Sequence, residues 1–117
     1  MSEERRREPR LDASSLHLYV YDNLRNELLG TLVNISSGGL LILSGTAVDL
    51  EGVLQIDLRS GPSPADTVLP LGVQVSWIAP ANTEGNYWIG TRIIAIADVD
   101  REKLKRLLRD ALAATAS

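Results

Sequence analysis

Six short runs in which apolar and polar residues alternate occupy most of positions 16 to 96. They are "LHLYVYD" (16–22), "LLGTLVNIS" (28–36), "GGLLILSG" (38–45), "VLQIDLR" (53–59), "LGVQVSWIA" (71–79) and "YWIGTRIIAI" (87–96). Successive side chains of a strand point to opposite faces, so a period of two defines a sheet with one buried side. "NLRN", the Ser-Ser-Gly-Gly break, "SGPSPAD" and "PANTEGN" separate the runs, and their Asn, Ser, Gly and Pro residues supply turn geometry. Short strands at this spacing predict an antiparallel barrel, which leaves no free sheet edge for other chains to extend. The clearest alternation turns Leu71, Val73, Val75 and Trp77 inward, with Gln74 and Ser76 outward. In the fourth run Val53, Gln55 and Asp57 alternate against Leu54, Ile56 and Leu58, and in the first Leu16, Leu18 and Val20 share a face.

Beyond the last run the period changes. Leu104, Leu107, Leu108, Ala111 and Leu112 recur at the spacing of one helical face, and Asp98 or Asp100 can cap the helix start. Such a helix covers one mouth of the barrel. A length of 117 residues suits one domain with its own core. The expected architecture is therefore mainly β, a six-stranded antiparallel β-barrel with a C-terminal α-helix. Residues 1–13 read as a flexible arginine-rich arm, 14–98 as the barrel, and 99–117 as the helix of the same domain.

Composition removes several function classes. There is no cysteine, so thiolate chemistry, disulfides and cysteine-bound metals are excluded. No apolar run reaches the ~18 residues needed to span a bilayer, and "MSEERRREPR" lacks the apolar core of a secretory signal. A cytoplasmic location without membrane insertion is the simplest expectation. A net charge of −3 and 4% aromatic residues, with no phenylalanine, argue against a nucleic-acid-binding barrel built on basic grooves and stacking platforms. Catalysis is not expected: the single histidine, His17, lies in a strand pattern, and no G-x-S-x-G elbow, P-loop or metal-ligand spacing is present.

Two short segments remain. "RRREPR" (5–10) makes the leader locally positive in an acidic chain, since Arg5, Arg6, Arg7 and Arg10 outnumber Glu3, Glu4 and Glu8. Alone it reads as a solvated arm. "NISSGG" (34–39) alone reads as a tight strand-to-strand turn, and its glycosylation sequon lacks any secretory context. Together, Arg6-x-x-x-Arg10 followed by Asn34-x-Ser36-x-x-Gly39 resembles the two-part signature of the PilZ domain family. The likeness extends through "VSW" (75–77), "YWIG" (87–90) and the closing helix. Asn34 stands where family members carry Asp or Asn, and Ile93 where an aromatic residue is frequent.

The resemblance implies a small barrel that binds cyclic di-GMP, a bacterial second messenger, with no other cofactor and no metal. Its phosphates suit guanidinium, which grips an anion through two parallel hydrogen bonds and can also pair with guanine O6 and N7. Arg6 and Arg10 are the implied clamps, with Arg5 and Arg7 as auxiliaries. Asn34, Ser36 and Gly39 are the implied guanine-edge set, with Gly38 assisting. Trp77 is either a core residue, as its alternation indicates, or a neighbour of the ligand. On this reading the ligand orders the arm, and an unidentified downstream protein reads the change in control of motility, polysaccharide or biofilm. The alternative is a ligand-independent PilZ-like adaptor acting through protein contacts alone.

Overall fold

The computed structural model describes residues 10–116, with side chains through residue 114. Seven strands run in order: β1 Leu11–Asp12, β2 Tyr19–Asp22, β3 Glu27–Ile35, β4 Gly39–Ser44, β5 Val53–Arg59, β6 Thr67–Pro80 and β7 Tyr87–Ala95, followed by helix α1, Asp98–Ala116. All pairings are antiparallel, in the order β3-β2-β5-β6-β7-β4, and β4 returns to β3. That closure makes a six-stranded barrel, as the alternation predicted. The two-residue β1 is an addition: it pairs with β3 beyond the end of β2, Leu11 opposite Ile35 and Asp12 opposite Asn34.

The core holds the inward residues of every barrel strand, among them Val20, Leu32, Ile42, Ile56, Leu71 and Ile89. Helix α1 adds Leu104, Leu107 and Ala111 to it, and Ala13, fully buried just after β1, lies in the same cluster. The helix packs on β1 and β6, closing that end of the barrel. Leu112 belongs to the expected apolar face but is more than half exposed. No helix among the described residues is long and apolar enough to cross a membrane.

Three local expectations are corrected. The first strand begins at Tyr19, not at residue 16, because Ser14–Leu16 forms a 3-10 turn that His17 ends in the left-handed region at φ 54°. His17 is thus a turn-ending residue rather than a strand residue. Asp57 is not outward-facing to solvent: it is buried, as is Arg59, which is 1% exposed. The β2–β3 hairpin and the 60–66 loop supply their polar partners on the outer side of β5. Arg59 Nη2 and Nε donate to Asp57 Oδ2 at 2.8 and 3.2 Å, and Nη1 donates to Asn26 Oδ1 at 2.8 Å and the Pro62 carbonyl at 3.1 Å. Asn23 Nδ2 donates to both Asp57 oxygens, and the Tyr21 ring centroid lies 4.3 Å from the guanidinium carbon. The third correction, at Trp77, concerns the site.

Candidate functional site

Where β1, the β3–β4 turn, β6 and β7 meet, a cleft of about 700 Å3 opens, a size typical of small-molecule sites. Arg10, Ser36, Gly38 and Gly39 line it together with Arg92, which is opposite Gly39 in the β4–β7 ladder, and with Ser76, Trp77 and Thr91. The backbone explains the convergence. Continuing the Leu11–Ile35 and Asp12–Asn34 register by one step sets Arg10 across from Ser36. Strand β1 is fixed there by Ala13 N–H donating to the Val33 carbonyl at 2.7 Å, and by the Asp12 carboxylate. Asp12 Oδ1 accepts from the Ser14 N–H and hydroxyl at 2.9 and 2.7 Å, which holds its carboxyl below the usual range, the backbone bond first. This turn is therefore strongest above the ordinary carboxylate pKa and loosens as acid protonates Asp12.

The turn 36–39 is wound around one hydroxyl. Ser36 Oγ accepts from the N–H groups of Gly38 and Gly39 at 3.2 and 3.1 Å, and Ser36 N–H donates to the Gly39 carbonyl at 2.9 Å. Ile93 N–H donates to the Gly38 carbonyl at 2.7 Å, tying the turn to β7. Gly39 is required by close approach rather than by positive φ, since a Cβ there would overlap the Thr91 carbonyl oxygen. Asn34 is half-buried, opposite Asp12 in the ladder, and does not line the cleft. Arg5, Arg6 and Arg7 lie outside the described residues.

Trp77 departs from its expected place in the core. The β6–β7 register shifts between Val75 and Trp77, so Val75 pairs with Thr91 and Trp77 with Gly90. The extra residue breaks the period of two. Trp77 is consequently 42% exposed and lines the cleft beside Gly90, where a Cβ would overlap its indole. Gly90→Ala should therefore drive the indole from its position. In a Trp88→Phe background, the expected reading is a shift of Trp77 fluorescence with little loss of fold; unchanged emission would show that the contact does not set the ring.

Arg92 is the cleft residue that sequence reasoning missed. The available signal was a lone cation in the otherwise uncharged strand "YWIGTRIIAI". Its Nη2 and Nε donate to Gln74 Oε1 at 2.6 and 3.1 Å, and Gln74 Nε2 donates to the Glu51 carbonyl at 3.1 Å. Glu51 itself holds a strained φ of 65°. Among the described lining residues there are two guanidinium groups and no carboxylate, so the cleft is built for an anion.

The sequence matches the PilZ domain over residues 4–110. The chain belongs to the PilZ domain family. No curated protein matches it. Among solved structures, this PilZ domain is similar to the c-di-GMP-bound PilZ domain of YcgR from Escherichia coli, at 18% identity, covering 95% of this chain and 94% of that one, with a TM-score of 0.70. It is similar as well to the Klebsiella MrkH–c-di-GMP complex (18% identity, 96% and 54% covered, TM-score 0.71). The Bacillus subtilis inhibitor of motility MotI is a third (21% identity, 93% and 52% covered, TM-score 0.68). The chain spans about half the length of these last two. At such identities the likeness establishes the shared fold.

Proposed function

We propose that this PilZ domain is a receptor for cyclic di-GMP that performs no chemistry of its own. The observation that carries this reading is the cleft, where Arg10, Arg92 and Trp77 face the Ser36–Gly39 turn with no carboxylate among the described lining residues. Membership of the family, and the c-di-GMP complexes among its structural neighbours, support the choice of ligand.

Arg10 and Arg92, both lining the cleft, would take phosphate or a guanine edge by paired, charge-assisted bonds. The exposed Trp77 indole offers a stacking face for a purine, and such stacking contributes ~1–3 kcal/mol per base. Ser36 is already engaged by its own turn, so its first role is to hold the Gly38–Gly39 segment in place; a guanine edge donating there would share a carbonyl oxygen that already accepts one N–H. Asn34, one residue removed from the cleft wall, would reach the ligand only from the β1 side. Arg6, with Arg5 and Arg7 beside it, would close over the ligand from the leader. Ordering those residues would reshape the surface that an effector protein reads.

Titration of the whole chain with cyclic di-GMP, by calorimetry and thermal unfolding, tests this directly. At a hundredfold excess over Kd, binding to the folded state adds ~2.7 kcal/mol, a rise in Tm on the order of 10 °C for a domain this size. No heat and no shift would defeat the proposal. Arg92→Ala should weaken binding about tenfold, the loss of one charge-assisted contact of ~1.5 kcal/mol; an unchanged Kd would remove Arg92 from the site.

A further inference from the structure

Four exposed aliphatic side chains lie on the β2–β3 hairpin, the start of β3, the β4–β5 loop and the start of β5. Leu24 is 79% exposed, Leu28 52%, Leu50 60% and Val53 61%. Leu28 and Val53, with Val48, wall a groove of about 250 Å3 between the β2–β3 hairpin and the β4–β5 loop. Leu24 and Leu50 neighbour in sequence the lining residues Arg25 and Asp49. On β3 the groove and the cleft lie at opposite ends, Leu28 and Ser36 about 27 Å apart at the rise of an antiparallel strand, whereas on the β5 side Val53 is two strands from Arg92, with Gln74 between them. Exposed leucine and valine side chains beside a concave, charged groove suit a contact with something else.

The segments that carry these side chains are held in place. Asp22 Oδ1 accepts from the N–H groups of Leu24 and Arg25 at 2.9 and 3.2 Å, and Asn23 and Asn26 are bonded to the buried Asp57–Arg59 pair. On the opposite wall Glu51 N–H donates to the Val75 carbonyl and Gly52 N–H to the Asp49 carbonyl, at 2.9 and 3.0 Å. The leucines are thus presented on fixed backbone, which reduces the ordering that a partner must impose. The rim is acidic: Asp22, Glu27 and Asp49 line the groove against one cation, Arg25. An excess of carboxylates repels nucleic acid and anionic lipid, and attracts Lys and Arg.

We propose that this groove is a protein-docking surface for a basic amphipathic segment of a partner. The segment's apolar stripe seats on Leu28, Val48 and Val53, flanked by Leu24 and Leu50, and its cations face Glu27, Asp49 and Asp22. This is the helix-in-groove mode of recognition. It stands whether or not the cleft binds a nucleotide.

The test is NMR titration of the isotopically labelled full chain with an 18-residue helical peptide of leucine on one face and lysine on the other. Shifts confined to residues 22–29 and 46–54 are expected. Leu28→Ser/Val53→Ser should weaken binding at least tenfold, and Glu27→Gln/Asp49→Asn should weaken it and flatten its salt dependence. Leu24→Ser/Leu50→Ser gives a second apolar variant should the first misfold. Shifts on another face, or equal affinity for the serine variants, would overturn the proposal, because charge alone would then explain binding. So would a dimer in sedimentation that the serine variants abolish, since a second copy would own the groove. Groove resonances that move when residues 1–9 are removed would assign it to the chain's own leader and overturn it equally.

Discussion

Arg59→Ala is expected to lower unfolding free energy by about 3–5 kcal/mol, the range found when one member of a buried ion pair is removed. That is a large fraction of a small domain's 5–15 kcal/mol stability. The guanidinium satisfies Asp57, Asn26 and the Pro62 carbonyl from a position 1% exposed, so its loss strands a buried carboxylate. The Asn23 amide, which also donates to Asp57, offsets only part of this. Asp57→Leu/Arg59→Met should be less damaging than Arg59→Ala, because no isolated charge remains. Urea denaturation of the three proteins checks the order. A loss under about 1 kcal/mol for Arg59→Ala would mean that water reaches the pair.

Arg10→Ala is expected to leave Tm nearly unchanged and to weaken cyclic di-GMP binding by more than tenfold, equivalent to a charge-assisted contact of ~1.5–3 kcal/mol. The two readouts separate because Arg10 is exposed at the cleft mouth, whereas the neighbouring Leu11 and Ala13 face the core cluster. Arg10→Lys should recover little, since an ammonium cannot make the paired geometry of a guanidinium. Calorimetry on the three proteins decides it. Equal affinity for wild type and Arg10→Ala would place the nucleotide elsewhere and leave the adaptor reading in possession of the cleft.

The barrel was legible because closure depends on alternation, and alternation survives in a sequence as a simple period. Val53–Arg59 was bounded to the residue, and the helix face through Leu104, Leu107 and Ala111 was read correctly. One reading failed where a single residue interrupts the period, and another where distant segments cover a strand's outer face. The bulge before Trp77 reverses its direction, and nothing in "VQVSWIA" announces an insertion. Asp57 and Arg59 obey the alternation yet are buried, because a hairpin and a loop from distant sequence fold over the outer face of β5. Of the pattern R-x-x-x-R…N-x-S-x-x-G, Arg10, Ser36 and Gly39 line one cleft, Asn34 does not, and Arg6 lies outside the described residues. The pattern could not show that Ser36 is occupied by its own turn, or that Gly39 makes room for the Thr91 carbonyl oxygen, since both depend on backbone proximity across strands. Arg92 carried no motif and became visible only through its neighbours.

The shortest strand in the molecule governs its best-placed arginine. β1 holds Arg10 at the cleft by a two-residue ladder on β3, buttressed from below by helix α1. Substitution of Ala13, fully buried just after β1, would alter how often that ladder opens without changing any residue that lines the cleft. Were the cleft to hold the proposed nucleotide, its residence time would depend on a residue outside the binding motif.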